Sequence, residues 1–188
     1  EAARAAAKEG GHTGKGWAWL AELTGLDEDH LFGFMKKKHD TISTAETIAS
    51  VLEVSLPMID VMDFLTGGYL PEALVNYMAL LGWSPGDDRE IMTIDEMAAV
   101  FSLERIGKTA ARFDPAKLRW MNGEYMKSLP IETLLGHLSE YLEVVESPFN
   151  GLSDATRATY LNLFRERAAT FAELDAQAKF LFERPTEW

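Results

Sequence analysis

Apolar side chains recur at intervals of three or four residues in every long segment of this chain. One such run passes from Leu74 through Tyr77 to Leu81, and another passes from Leu134 to Leu142. This spacing places the apolar side chains on one face of an α-helix. Runs that alternate polar with β-branched residues are scarce, so the sequence predicts an all-α protein with no sheet of three or more strands.

Residues with strong conformational preferences mark where these helices begin and end. Pro71 suits the first turn of a helix, because its missing N–H would have no intrahelical partner there. Gly82 is predicted to close this helix in the left-handed conformation, and the turn chemistry from Ser84 to Asp87 stops the helix from resuming. Thr93 or Asp95 is predicted to cap the next helix, which runs as far as position 101.

A further helix is predicted to start where Asp114 precedes a proline. It carries four large apolar or aromatic residues, Leu118, Trp120, Met121 and Tyr125. Large aromatic side chains at helical spacing are usually buried, so all four are predicted to be core residues. Trp120 is expected to pack against the helix that contains Leu74 to Leu81.

The region from Gly68 to Leu129, which contains these predicted helices, resembles the part of bacterial glutamyl-tRNA synthetases that follows the catalytic domain. Leu-Pro-Glu-Ala, Gly-Trp-Ser-Pro-Gly-Asp-Asp and Lys-Leu-Arg-Trp-Met-Asn-Gly occur in that family's order between Gly68 and Leu129. The resemblance continues through three more helical segments to Ala178-Lys-Phe-Leu-Phe. It implies that residues 60 to about 184 form the family's stem-contact domain, an all-helical domain that braces the catalytic domain and touches the tRNA backbone.

The same resemblance implies a chain without aminoacylation activity of its own. The family's nucleotide-binding domain carries a His-Ile-Gly-His-like motif and a Lys-Leu-Ser-Lys-Arg loop, and the sequence contains neither. The nearest approach, Met35-Lys-Lys-Lys-His39, lacks the first lysine and the serine of that loop. We therefore expect no adenylate formation from ATP and glutamate.

Residues 1 to 59 resemble a different family, the five-helix DNA-binding domains of phage repressors. An alanine-rich first helix precedes Trp17-Ala-Trp-Leu-Ala-Glu-Leu-Thr-Gly25, where Gly25 would form the turn of a helix-turn-helix. The segment from Asp27 to Lys37 occupies the place of the recognition helix. The expected fold is thus a repressor-like domain (1–59) followed by a stem-contact-like domain (60–188), with a short helix from Asp60 to Leu65 that completes the first or begins the second.

The charges of the segment at the place of the recognition helix disfavour duplex DNA as a partner. Its first turn, Asp27-Glu28-Asp29, would repel phosphate, and those acids complement the helix dipole as a cap instead. A dense basic cluster follows at Lys36, Lys37, Lys38 and His39. It is either a solvated helix end or a phosphate-contact site.

Basic residues of the second half supply the candidate tRNA contacts. These candidates are Arg105, Lys108, Arg112, Lys117 and Arg119. The formal net charge of the whole chain is −12, which argues against a free-standing nucleic-acid binder. Ordinary surface charge, with Arg119 paired to a neighbouring acid, is the alternative interpretation of this set.

The amino-acid composition argues against several classes of function. The chain has no cysteine, which excludes disulfides and thiolate catalysis, and its four histidines lack metal-ligand spacing, so no metal or other cofactor is predicted. No apolar run has the length of a membrane span, and we expect a cytoplasmic protein without a membrane partner.

Two hypotheses from different classes remain. In the first, the chain is a non-catalytic relative or fragment of glutamyl-tRNA synthetase that binds tRNA or serves as a scaffold. In the second, the repressor-like half is a DNA-binding regulator or an interaction module, with the helical half as its platform. A homodimer and an engineered chimera both stay open, because such a fusion is unusual and the fold alone does not determine function.

Overall fold

The computed structural model describes residues 1–10, 16–39, 41–54, 56–58, 60–107 and 112–182. Within these ranges the protein is all-α, as the sequence predicted, and the only β contact is an isolated antiparallel bridge between Trp83 and Ile106. The chain packs as two compact units, Glu1–Ile59 and Asp60–Trp188. No helix in the described ranges is long and apolar enough to cross a membrane.

The first unit contains four helices in its described residues, where five were expected. They are α1 (Ala2–Gly10), α2 (Ala18–Thr24), α3 (Glu28–Met35) and α4 (Ile42–Val51). The short helix after Asp60 belongs to the second unit. Leu20, Leu31, Phe34 and Ile48 are fully or almost fully buried and form the core of the first unit together with the alanines of α1.

The second unit contains seven α-helices in its described residues. They are α5 (Val61–Thr66), α6 (Pro71–Gly82), α7 (Ile94–Val100), α8 (Pro115–Ser128), α9 (Ile131–Val144), α10 (Asp154–Phe164) and α11 (Phe171–Ala178). Two 3₁₀ turns, Leu103–Arg105 and Lys179–Leu181, complete it. The main core gathers residues from α6, α8, α9, α10 and α11 around Leu134, Leu138, Phe149 and Phe171. The end of the last predicted helix, beyond residue 182, lies outside the described residues.

The predicted helix starts are confirmed. Pro71 is the first residue of α6, and the Thr93 side chain accepts from the backbone N–H of Glu96 while the Glu96 carboxylate accepts from that of Thr93. Asp114 caps α8 by accepting from the backbone N–H groups of residues 116 and 117. These short-range bonds satisfy N–H groups that have no partner inside a helix.

The predicted role of Gly82 is wrong. Gly82 stays helical, and Trp83 leaves α6 in an extended conformation with φ −143° and ψ 156°. The carbonyl of Gly82 instead accepts from the backbone N–H of Gly107 at 2.8 Å. The left-handed conformation occurs four residues later, at Gly86 with φ 87°. A backbone N–H from a distant residue thus provides the hydrogen bond for a carbonyl at the end of this helix, and a left-handed glycine is not required there.

Two buried asparagines hold the second unit together and were not predicted as core residues. The side chain of Asn122 accepts from the backbone N–H of Leu70 at 2.8 Å. The side-chain oxygen of Asn76 accepts from the backbone N–H of Met92 at 3.0 Å and from the Tyr125 hydroxyl at 2.8 Å. Both side chains are fully buried, so each must find partners, and these partners tie α6 and α8 to the loops beside them.

Candidate nucleic-acid interface

The basic cluster of the first unit lies at the C-terminal end of α3. Lys37 adopts a left-handed conformation with φ 58°, and its ammonium group pairs with the Glu1 carboxylate at 2.5 Å. The Lys36 and Lys38 ammonium groups each lie 5.7 Å from the centroid of the Phe32 ring. Lys36 and Lys38 therefore flank an aromatic ring that is itself 44% exposed.

His39, the last residue of the basic cluster, packs against a second histidine. Its ring stacks on that of His30 with centroids 4.5 Å apart, and His30 in turn shares a hydrogen bond with the Thr44 hydroxyl. At the other end of α3, the Asp27 side chain accepts from the backbone N–H of His30 at 3.0 Å. The acidic first turn is therefore a helix cap, as its capping interpretation predicted.

Arg4 supports this helix end, although the sequence analysis did not single it out. It is buried in the otherwise alanine-rich α1, and its Nε donates to the carbonyl of Phe34 at 2.8 Å. Its guanidinium group also lies 4.1 Å from the centroid of the Phe34 ring. A lone arginine on a helix has no local pattern that predicts burial, because the backbone carbonyls of Phe34 and His39, to which Arg4 donates, are 30 and 35 positions away.

The candidate residues of the second unit that the structure describes have different partners. The Arg105 guanidinium donates to the carbonyl of Pro85, and the Lys117 ammonium pairs with the Glu90 carboxylate at 2.5 Å, so both engage the turn after α6. Arg119 pairs instead with Glu173 of α11. Arg112 is exposed, with no ion pair to another described residue, and Lys108 lies outside the described residues.

Arg119 and Glu173 make the most complete ion pair of this surface. Nε and Nη2 of Arg119 donate to the two carboxylate oxygens at 2.5 and 2.8 Å, and the backbone N–H of Ala169 donates to the same carboxylate at 2.9 Å. Burial by itself raises the pKa of Glu173, but these hydrogen bonds and the Arg119 charge outweigh it and lower that pKa below its ordinary value. This outcome agrees with the surface-charge interpretation of Arg119.

Trp120 is not a core residue, which corrects the sequence analysis. Its neighbours Leu118 and Met121 are buried, yet Trp120 is 44% exposed. Successive residues of a helix are rotated by about 100°, so position 120 lies beside the stripe that faces the core. It is the most exposed tryptophan among the described residues.

Trp120 lines a surface cleft of about 200 Å³ between α8 and the segment before α11. Gly123 and Ala169 lie where the two segments approach, and a Cβ atom on Gly123 would meet that of Ala169 at 3.4 Å. The charged side chains of the cleft are Arg119, Glu124, Lys127, Glu166 and Arg167. The cleft thus combines an exposed indole with guanidinium and ammonium groups, and nearby carboxylates balance their charge.

The comparisons with known proteins cover part of the chain. Residues 53–120 match the model for the catalytic domain of class I tRNA synthetases (E and Q). The glutamate–tRNA ligase of Thermobifida fusca (strain YX) is 39% identical over 128 residues, which are 66% of this chain and 27% of that protein. Glutamate–tRNA ligase 1 of Syntrophomonas wolfei is 42% identical over 134 residues, which are 69% of this chain and 26% of that protein.

The chain therefore spans about a quarter of the length of the curated relatives that it matches. A glutamate–tRNA synthetase from Elizabethkingia anophelis is similar in structure, with a TM-score of 0.54 and 24% identity over 78% of this chain and 37% of that one. At this identity the similarity concerns the fold. Part of this chain is thus homologous to glutamate–tRNA ligases.

Proposed function

We propose that the second unit is a non-catalytic tRNA-contacting module whose contact surface is the exposed side of α8. The observation that carries this proposal is the exposed Trp120 beside Arg119 and Arg167 in one cleft, with Arg119 and Trp120 at the end of the region (53–120) that matches the tRNA synthetase model. An indole ring can stack on a nucleobase, and guanidinium groups can bind the adjoining phosphates.

Carboxylates already pair with basic side chains of the cleft, and this lowers the expected affinity for RNA. Glu173 engages Arg119, and Glu124 engages Lys127 at 2.9 Å, so phosphate must compete with carboxylates that are already in place. The cleft contains as many acidic as basic side chains when Glu173 is included. We therefore expect modest affinity and weak dependence on salt, with stacking on Trp120 as the main contribution.

The test is binding of fluorescently labelled glutamate tRNA to the purified chain at two salt concentrations. Trp120→Ala should weaken binding about tenfold or more, in keeping with the ~1–3 kcal/mol of a stacked base. Arg167→Gln should weaken it less. Leu163→Ala is the matched control, because Leu163 is an exposed apolar residue of α10 that does not line the cleft.

Equal affinity of the Trp120→Ala variant and the parent would contradict the contact surface. If the parent retains neither tRNA nor duplex DNA, the scaffold role becomes the better proposal. Magnesium, ATP and glutamate should support no pyrophosphate exchange, whereas measurable exchange would show that the chain is an enzyme.

A second proposal concerns the first unit as a repressor-like DNA-binding or interaction module. The exposed pair Lys36 and Lys38 around Phe32 favours it, while the capping role of Asp27 disfavours contact through the first turn of α3. Changing Lys36 and Lys38 to Gln should flatten the salt dependence of duplex binding by about two log–log units if each touches a phosphate. Loss of a sequence-specific complex on changing Asp27 to Asn, with the lysine changes silent, would reverse this assignment.

A further inference from the structure

An apolar groove of about 500 Å³ runs along one face of the second unit. α6 supplies Val75 and Ala79 to its walls, and α7 supplies Ile94 and Met97. Phe101 and Ile106, from the segment after α7, also line it. None of these residues lines the Trp120 cleft, so the groove is a separate feature of the unit.

The groove leaves large apolar side chains accessible to water. Val75 and Ile106 are each 45% exposed, and Ile94 and Phe101 are each 55% exposed. Single exposed apolar residues are ordinary on a protein surface, but several that line one groove mark an interaction site. Burying them against a partner would release a substantial apolar area from water.

The spacing of the lining residues suits a helical occupant. Ile94, Met97 and Ala98 are three and four residues apart on α7 and form a stripe about 6 Å long, which Phe101 extends from the segment after α7. Val75 and Ala79 form the facing stripe on α6. A groove between two such stripes accepts the apolar face of an amphipathic helix, whose side chains repeat with the same period.

The charge around the groove selects the partner. Asp95 of α7 and Glu104 after it are exposed, and they are one and two residues from the lining residues Ile94 and Ile106. α6, α7 and residues 101–106 contain one cation, Arg105, whose guanidinium group donates to the Pro85 carbonyl. A second copy of this chain, with a net charge of −12, would be repelled, whereas a basic segment would be attracted.

We propose that the groove binds an amphipathic helix of a partner protein that presents apolar side chains on one face and lysine or arginine side chains beside them. This interaction is independent of the proposed tRNA contact. It joins the apolar stripes of α6 and α7 to the occupant's apolar face, and it joins Asp95 and Glu104 to the occupant's cations.

The experiment measures fluorescence anisotropy of a labelled synthetic helix of about 18 residues, five turns, with leucines on one face and lysines flanking them. The full chain should bind it, and Ile94→Glu should weaken binding about tenfold or more through lost apolar contact. This change adds a negative charge, so electrostatics alone would strengthen binding to a basic peptide. Leu163→Glu is the matched control and should bind like the parent.

Two further measurements complete the test. Asp95→Asn combined with Glu104→Gln should weaken binding and reduce its salt dependence, and a peptide with glutamate in place of lysine should bind much more weakly. Circular dichroism of each variant verifies the fold.

Several results would overturn the proposal. Absence of peptide binding would do so, as would equal binding of the acidic peptide or of the Ile94→Glu variant. A parent dimer that Ile94→Glu converts to a monomer in sedimentation would identify a second copy as the occupant. Uptake of a small apolar dye without peptide binding would identify a small-ligand site instead.

Discussion

Arg119 of α8 and Glu173 of α11 lie 54 residues apart and form a two-point ion pair with N–O distances of 2.5 and 2.8 Å. The same carboxylate accepts from the backbone N–H of Ala169, which fixes the start of α11. The pair borders the cleft that contains Trp120. A stabilising contact and the proposed RNA contact therefore share one arginine.

Glu173→Gln should destabilise the protein by about 1 kcal/mol at neutral pH, since exposed ion pairs contribute little but bidentate, backbone-supported ones contribute more. The folded pKa of Glu173 lies below its ordinary value, so its contribution is present above the unfolded pKa and is lost as the pH falls through the folded pKa. Urea unfolding of both proteins across acidic pH measures this. A stability difference that persists unchanged at the lowest pH would contradict the prediction.

Gly68→Ala should destabilise the protein strongly. Gly68 has φ 73° at the end of α5, and an added Cβ would lie 2.6 Å from the backbone nitrogens of Phe171 and Ala172. Gly25 has nearly the same φ, 71°, with nothing within 4 Å of its Cβ position. Gly25→Ala should therefore cost only the backbone strain, about 1–2 kcal/mol, and Gly68→Ala clearly more in thermal or urea unfolding. Equal costs would show that the packing around Gly68 yields easily.

Asp175 should make the protein less stable as the pH rises. Burial raises its pKa, although the Ser147 and Tyr141 hydroxyls donate to its carboxylate at 2.7 and 2.9 Å and oppose the shift. Because the folded state holds the proton more tightly, ionisation costs stability from the unfolded pKa of about 3.9 upwards. Compared with the parent, Asp175→Asn should gain in relative stability as the pH increases from acidic to neutral. The opposite trend in urea unfolding would show that the hydroxyl bonds dominate.

Trp120→Ala should change stability by less than about 1 kcal/mol, as is usual at exposed positions. Phe149→Ala, at a fully buried site, should cost about 3–5 kcal/mol. Thermal unfolding of both variants checks the contrast. A large loss of stability in Trp120→Ala would assign the indole to packing and remove the basis for its role in RNA binding.

Lys37→Gly should stabilise the first unit by about 1 kcal/mol, because Lys37 occupies a left-handed conformation that glycine adopts without strain. The gain should be smaller than for Glu53→Gly, whose position has φ 53° at the end of α4, because Lys37→Gly also removes the ion pair with Glu1. Urea unfolding measures both. Destabilisation by both changes would contradict the strain argument.

The sequence by itself determined the helices, because their signals are local. Apolar spacing, the capping side chains of Thr93 and Asp114, and the position of Pro71 act within one or two turns, and each appears in the structure as predicted. The closing residue of α6 was mispredicted because its partner, the backbone N–H of Gly107, is 25 residues away. Local turn chemistry carries no information about such a partner.

The tertiary structure alone decided which side chains are exposed and which charges are paired. Trp120 is a large aromatic residue in a helical run of apolar residues, which is typical of a core position. In the folded protein it lies beside the buried stripe of Leu118 and Met121 and is therefore at the surface. Lys117 and Arg119 are two residues apart in sequence, yet their carboxylate partners lie on different segments. Pairing and exposure depend on segments brought together by folding, and neither follows from the order of residues along one helix.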